Sequence, residues 1–547
     1  MNRFLLAIVL SLGIQAGGLR VLDHWDNLDD SVERGYAGKS MWGWTQRRVP
    51  EKRIREYADF NRELGIDAAV LNNVNASPQI LTPKRLERVA AIADILREYG
   101  IKVYLSVNFA SPSALGELPT ADPLDPAVIL WWQEKVSDIY GMIPDFGGFL
   151  VKASSEGQPG PQDFGRTHAD GANMLARALK PYGGIVMWRS FVYSPDSPDR
   201  AAQAYEEFVP LDGAFEDNVI IQVKNGPVDF QPREPASPLF WAMHKTALMP
   251  EFQITQEYLG QDRMLCYLAP MWKECLDTLM AYGYSPDSFA GVANTGRKGR
   301  KLSCGHPFAQ ANWYAFARLC ADPSLSSAQI AREWLYRSFP KPRRVAQQEF
   351  EENFISPVTE MMLSSREACV DFMTPMGLHH LMAWQHHYGP DPGCDVPGAR
   401  EDWLPRYYHR ADTSGIGFDR TASGGSGSLK QYPEELRKIY EDPQSCPEEY
   451  LLWFHHLPWD YQMEDGRSLW EHICSHYDRG VRTVQGYIPL WDGVKPYVRD
   501  RRLWRRVRSL LEIQARDAAE WRDVCVSYFD SCRKGTDSSP KRNAPAS

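Results

Sequence analysis

The sequence predicts an α/β chain: a (β/α)8 TIM barrel followed by a mainly α-helical C-terminal domain. Three observations lead there. Eight short apolar or β-branched runs recur through roughly the first 300 residues, with helix-period segments between several of them. Nearly every run ends on polar or charged residues, which favours closure around one mouth over an open doubly wound sheet. From about residue 305 the strand-like runs stop and helical patterns take over.

Taken in order, the expected strands are Leu19–Leu22, Ala68–Leu71, Lys102–Val107, Phe146–Val151, Gly184–Trp188, Val219–Val223, Glu251–Thr255 and Ala290–Ala293. Amphipathic helix patterns separate them, such as Lys84–Tyr99 closed by Gly100 and Pro126–Tyr140 closed by Gly141, glycine being the usual stop just past a last turn. In the second half, Gln310–Cys320, Ser327–Phe339, Val345–Glu352, Pro433–Tyr440, Ser468–Arg479 and Arg502–Tyr528 read as helices. Tyr388–Ser428, rich in Gly, Pro, Asp and aromatics, reads as an extended loop. The division expected is a signal-like or remnant segment 1–18, a catalytic barrel 19–304, a helical domain 305–533 and a polar, disordered tail 534–547.

Composition narrows the function. A formal net charge of −9 without a basic stripe argues against a nucleic-acid partner, so any anionic substrate must meet locally placed cations. All ten cysteines lie at or after Cys266 with no CxxC pair, which favours free buried thiols over a disulfide framework. Residues 1–18 hold one arginine and an apolar run too short to span a bilayer. They suit either a secretory signal, which would send the chain to the periplasm or outside, or the remnant of an upstream element, which leaves it cytoplasmic. No later segment is long and apolar enough for a membrane span.

The strand ends carry the chemistry. Phe149-Leu150-Val151 runs into Lys152 and then Glu156 among Gly and Pro residues that forbid a helix. Ile185–Trp188 delivers Arg189, Ile220–Val223 runs into Lys224 and Asp229, and Phe252–Gln256 runs into Glu257. Trp25, Asn72, Asn73, Asn108 and Asn294 follow other strands. Barrel sites gather at the C-terminal ends of the strands, so these side chains are expected around one mouth. Two carboxyl groups flanking a bond are what glycoside hydrolysis needs, one protonated and one ionised, and strands four and seven lie nearly opposite each other. Each residue also has a plainer reading: Glu156 as a solvated loop acid, Asp229 as a turn residue, the three cations as structural ion pairs, and Trp25 as a plug of the barrel mouth.

The histidines are read as structural or at the rim of the site. His379-His380, His386-His387 and His455-His456 are adjacent pairs that point apart on a helix, and His472 and His476 have helical spacing without an HExxH or CxxC…H pattern. No metal is expected, nor a nucleotide cofactor, since GxGxxG and GxxxxGK[ST] elements are missing from strand-to-helix positions.

Long segments resemble the α-glucuronidases of glycoside hydrolase family 67. They include His24–Asp29, Arg34–Ser40, Val70–Ala76, Lys152 with the run SSEGQPGPQDFGRTHADGANML, Lys224–Pro235, Glu251–Tyr258, Asp371–Pro375, His409–Asp412 and Gly415–Arg420. The resemblance spans about Leu19 to Asp530. It implies removal, with inversion, of (4-O-methyl-)D-glucuronic acid α-1,2-linked to the terminal xylose of xylo-oligosaccharides. Carried over, it implies Glu156 as general acid, Asp229 and Glu257 as the pair that activates water, Lys152, Arg189 and Lys224 as uronate and hydroxyl ligands, and Trp25 as a sugar platform. It implies no cofactor, a glucuronoxylan-derived oligosaccharide as partner, and a homodimer through the helical domain. The alternatives are a catalytically inactive sugar-binding barrel and a hydrolase of a different uronide. The family also carries a β-rich domain ahead of the barrel, whereas this chain starts almost at strand one, so barrel surface that such a domain covers is expected to be exposed.

Overall fold

The computed structural model describes residues 18–36, 38–192, 197–298, 301–303 and 305–536. Most of the leader-like segment 1–18, and the tail 534–547 beyond residue 536, lie outside the described residues.

Eight parallel strands close into a barrel: β1 Arg20–Asp23, β2 Ala68–Val70, β3 Lys102–Ser106, β4 Gly148–Val151, β5 Ile185–Arg189, β6 Val219–Lys224, β7 Ala247–Gln253 and β8 Phe289–Val292. Closure is made by β1 against β8, with Arg20 opposite Phe289 and Asp23 opposite Val292. The strands are buried on both faces because helices wrap the outside, which is why they read as continuous apolar runs without alternation. Gly148 shows how tightly they pack. Its φ is +133°, and a Cβ there would stand 1.9 Å from the carbonyl oxygen of Ile185 on β5.

Seven of the eight strands lie within two residues of their expected bounds, and β7 departs most. It begins at Ala247, four residues ahead of the expected start, because Ala247-Leu248-Met249-Pro250 has no β-branched residue and includes a proline. Pro250 is nevertheless in register, opposite Val223. A second departure is Gly141, which lies inside the helix Pro126–Met142 instead of ending it. A small antiparallel sheet of Lys39–Ser40, Gly296–Lys298 and Lys301–Ser303, absent from the expected elements, stands beside the barrel.

The C-terminal region is helical, as expected, but its longest elements differ. Helix Gln347–Phe350 passes through a widened turn, Glu351–Ile355, into helix Ser356–Met373. Sequence reading missed this last helix; Pro357 near its start looks like a stop, yet at the first turn a proline gives up only an N–H that the widened turn relaxes around. Helix Leu469–Gly493 opens with a Ser468/Glu471 capping box and runs on past Arg479, through Pro489. It packs against Ser356–Met373 and Arg501–Lys534 to form the centre of the region. A Cβ at Gly480 would lie 2.8 Å from the Phe372 backbone nitrogen, so the bare α-carbon sets that close helix approach. Tyr388–Ser428 is mostly irregular, with short turns of helix at Glu401–Trp403 and Pro405–His409. Among the described residues no helix is long and apolar enough to cross a membrane, and nine cysteines are free thiols.

Two buried ion networks hold the halves together. Arg420 donates through Nε to Asp199 at 3.0 Å and through Nη1 to the Trp453 carbonyl at 2.7 Å. Arg233 and Arg366 share Glu274, which also accepts a 2.6 Å bond from the Tyr450 hydroxyl.

Candidate active site

The chain leaves β4 with Lys152 buried beneath the mouth and turns sharply. Ser154 and Glu156 both take left-handed backbone angles, φ +53° and +47°, and Ser155 and Gln158 close the turn by exchanging backbone hydrogen bonds. Left-handed non-glycine residues are disfavoured by about 1–2 kcal/mol each, and they cluster where a side chain must be aimed. The result presents the Glu156 carboxylate to the Lys152 ammonium, which pairs with it and also donates to Asn75 Oδ1 at 2.7 Å. Burial pushes Lys152 below the usual lysine range, against the pull of Glu156. Burial likewise acts to raise Glu156, but Lys152 and then Lys224 outweigh it and hold the carboxyl below the ordinary range. The side chain is 40 % exposed, and it opens into the cavity described next.

After β6, Lys224 donates to Asp229 Oδ1 at 2.7 Å, and the Tyr258 hydroxyl donates to Asp229 Oδ2 at the same distance. Burial opposes ionisation of Asp229, yet Lys224 and Tyr258 win and push its carboxyl far down. The loop is shaped from beneath by Glu234, whose carboxylate accepts the backbone N–H groups of Val228 and Asp229 at 2.8 Å each and lies 2.9 Å from His379 Nε2. A Cβ on Gly226 would strike that Glu234 carboxylate at 2.3 Å, so glycine admits it. After β7, Glu257 Oε1 meets Arg34 Nε and His387 Nδ1, both at 2.8 Å, while Oε2 accepts from Gln253 Nε2 at 2.9 Å.

Glu156 and Asp229 line a cavity of about 170 Å³ together with Arg34, Arg200, Tyr258 and His380. Lys152, Lys224 and Glu257 stand against those lining groups. Arg189 and Trp25 lie deeper. The Arg189 guanidinium is paired with Glu251, Nη2 to Oε2 at 2.8 Å, and sits 5.8 Å from the Trp25 ring centre. Trp25 is buried and its Nε1 has no hydrogen-bond partner. Below them, burial and the nearby Glu251 carboxylate push the Asp23 carboxyl up to about 8. The arrangement is therefore two acids at the cavity wall, a third one residue back, and cations matched to each.

Several neighbours were not singled out from sequence. Phe191 has the charged groups of Lys152, Arg189, Arg200 and Lys224 within 3.6–5.6 Å of its ring centre. One aromatic ring thus gathers four cations, each attracted by the ring while repelling the others. Arg34 and Tyr258 fall inside quoted stretches, Tyr258 directly after Glu257, so a local signal existed for them. At the roof, His380 and His387 belong to histidine pairs read from sequence as structural or rim residues, whereas Met382, Trp384, Trp403 and Tyr408, which come with them from the C-terminal region to close the cavity from above, have no local signal. His380, Gln385 and His387 there all have φ between +51° and +64°. Burial brings the His380 imidazole down to about 3, so it faces the cavity neutral.

A larger cleft of about 790 Å³ lies at the other end of the barrel, by the start of β7, lined by Tyr205, Trp241, Tyr282 and Tyr432 among others. It holds none of the paired acids and cations, so size does not mark the chemistry here.

Comparison with known proteins identifies the family. Residues 15–306 match the glycosyl hydrolase family 67 middle domain, and residues 304–541 match the glycosyl hydrolase family 67 C-terminus. Alpha-glucuronidase A of Emericella nidulans is 41% identical over 542 residues, covering 93% of this chain and 62% of the relative. Probable alpha-glucuronidase A of Aspergillus terreus is 38% identical, and alpha-glucuronidase A of Aspergillus tubingensis 37% identical, with the same coverage. The chain thus spans 62% of the length of these curated relatives.

Proposed function

The chain belongs to glycosyl hydrolase family 67, and from that premise we propose that it is an inverting, exo-acting α-glucuronidase. Its substrate in this reading is a glucuronoxylan-derived oligosaccharide, from which it releases (4-O-methyl-)D-glucuronic acid α-1,2-linked to xylose during xylan breakdown. Residues 19–304 act as the catalytic barrel and 305–533 as a helical domain that roofs it. The observation that carries the proposal is the pair of acid–cation couples, Lys152–Glu156 and Lys224–Asp229, on one small cavity.

A uronic acid differs from a neutral sugar by its carboxylate, and a cluster of buried ammonium and guanidinium groups is the matching receptor. Lys152 and Lys224 have acids as partners before substrate arrives. A substrate carboxylate that takes over the Lys152 N–H donors removes the charge that keeps Glu156 ionised, and expelling water from the cavity raises the carboxyl further. Glu156 then holds a proton for the departing xylose oxygen. Asp229, held ionised by Lys224 and Tyr258, is suited to take a proton from water, with Glu257 placing that water from β7. At about 170 Å³ the cavity is smaller than the roughly 300–1,000 Å³ of sites for drug-sized ligands, which supports one sugar unit at a chain end.

The test is hydrolysis of aldouronic xylo-oligosaccharides followed by NMR in the first minutes. Inversion delivers the β-anomer of the uronic acid first. The α-anomer first would reject inversion, and oligosaccharide binding without product would favour the inactive sugar-binding barrel. Because the cations suit any uronic acid, a panel of uronides distinguishes a hydrolase of a different linkage.

A further inference from the structure

Outside the barrel mouth, helix Leu469–Gly493 presents His472 and His476 one turn apart, both more than nine-tenths buried, with ring centres 5.1 Å apart. Facing them is Glu448, from the turn Glu448–Tyr450. Its Oε1 lies 2.6 Å from His476 Nε2 and its Oε2 lies 2.9 Å from His472 Nε2. One carboxylate from each of these residues' surroundings also stands behind the outer nitrogens. Asp371 Oδ1 is 2.8 Å from His476 Nδ1, and Asp465 Oδ2 is 3.6 Å from His472 Nδ1.

That layout is the one a metal ion needs. For His476, Asp371 behind Nδ1 can hold the proton there and turn the Nε2 lone pair inward, as in carboxylate–histidine–zinc arrangements. Arg479 Nη2 is also 2.7 Å from that Nδ1, and at 3.6 Å Asp465 is beyond hydrogen-bond reach of His472. Arg479 donates to both Asp371 oxygens at 2.7 Å, and Arg467 Nε donates to Asp465 Oδ2 at 2.6 Å, which orients the outer carboxylates. A second, independent observation concerns His472 itself. Neither of its ring nitrogens makes a well-directed hydrogen bond, although Nε2 is within contact of Glu448. At 2.9 Å from Glu448 Oε2, the unbonded Nε2 needs to draw back by only a few tenths of an ångström for both atoms to face one ion beside them. The three ligand atoms lie within 4.8 Å of one another, and zinc–ligand bonds of about 2.0–2.1 Å require separations of roughly 3.3 Å, a small adjustment.

We propose that Glu448, His472 and His476 bind a divalent transition-metal cation of the zinc class. Two imidazoles and one carboxylate suit zinc better than calcium or magnesium, which prefer oxygen donors. Glu448 is 43 % exposed, which leaves an entry path and a fourth position for water. The ion would tie the Glu448 turn to the long helix and so brace the helical region. Sequence spacing could not point to it, because the third ligand is 24 residues from His472 and lies on a different element.

The experiment uses the full chain, stripped with chelator, incubated with zinc chloride, desalted, and assayed for metal by mass spectrometry. The expected result is one zinc per chain in the wild type, a higher melting temperature than the stripped protein, and loss of the retained zinc in His472→Gln and in Glu448→Gln. Glu448→Gln changes a half-exposed side chain, so it keeps the test valid if His472→Gln does not fold. Cobalt in place of zinc should give the strong visible absorption of low coordination number in the wild type alone. No retained zinc in the wild type, or equal retention in both variants, overturns the site.

Discussion

Glu156→Gln is the most direct perturbation of the proposed mechanism. The amide keeps the shape and can still accept from Lys152, but it cannot deliver a proton. Positioned general acids contribute about 10²–10⁴ in rate, equivalent to roughly 3–5 kcal/mol of transition-state stabilisation. The fold should lose far less. Lys152 is 2% exposed and would lose a charged partner, but Glu156 is 40 % exposed and the Asn75 side-chain Oδ1 stays 2.7 Å from the ammonium. A fully buried broken pair is worth about 3–5 kcal/mol, and solvent at the cavity mouth should reduce this to about 1 kcal/mol. The assay compares two leaving groups: an aldouronic oligosaccharide, whose xylose oxygen needs protonation, and α-glucuronosyl fluoride, whose fluoride does not. The variant should lose at least about 10²-fold on the oligosaccharide and little on the fluoride. Equal losses on both substrates, or no loss on the oligosaccharide, would refute the assignment of Glu156 as acid.

Other outcomes follow from the same geometry. Tyr258→Phe removes a charge-assisted bond worth about 1.5–3 kcal/mol from Asp229, so its carboxyl should rise by about one to two pH units. Because a base must be ionised, the acidic limb of kcat/KM should move to higher pH by that amount, read from a pH–rate profile. Glu274 is held down to about 2 against its burial by Arg366 and Arg233. A depressed acid stabilises the fold above its unfolded value near 4.5 and loses that contribution as pH falls towards 2, about 3 kcal/mol in all. Urea midpoints between pH 6 and 3 should therefore fall more steeply in the wild type than in Glu274→Gln. Gly148→Ala should destabilise by about 3 kcal/mol or more, since its φ of +133° and the Ile185 carbonyl leave no place for a methyl group. Gly183→Ala, at φ +74° with open space around it, should cost about 1–2 kcal/mol in the same denaturation assay.

Much of this molecule was legible because barrel strands are short, buried on both sides and punctuated by polar residues. Those strand ends led to Lys152, Glu156, Arg189, Lys224, Asp229 and Glu257 before any geometry was known. What stayed hidden depended on distance in sequence or on broken local rules. The β7 strand was misplaced because Pro250 violates strand preference and is tolerated by a register set elsewhere. Helix Ser356–Met373 was lost at Pro357, and the pairing of Glu448 with His472 and His476 has no local signature at all. Phe191 reads as an ordinary core aromatic, and only the convergence of four cations on its ring shows otherwise. Similarly, Arg189 sits at a strand end as expected, but its partner Glu251 arrives from two strands away and draws it below the cavity.

The roof made by residues 382–408 has a consequence for how the chain matures. Ribosomal synthesis delivers all eight barrel strands by Val292, roughly ninety residues before Met382 emerges. For that interval a nascent barrel carries the Lys152–Glu156 and Lys224–Asp229 couples at an end without its roof. Until Trp384, Trp403 and Tyr408 arrive, the same acid–cation couples stand in water-like dielectric, so the small cavity that suits one sugar unit is complete only once the helical region has docked.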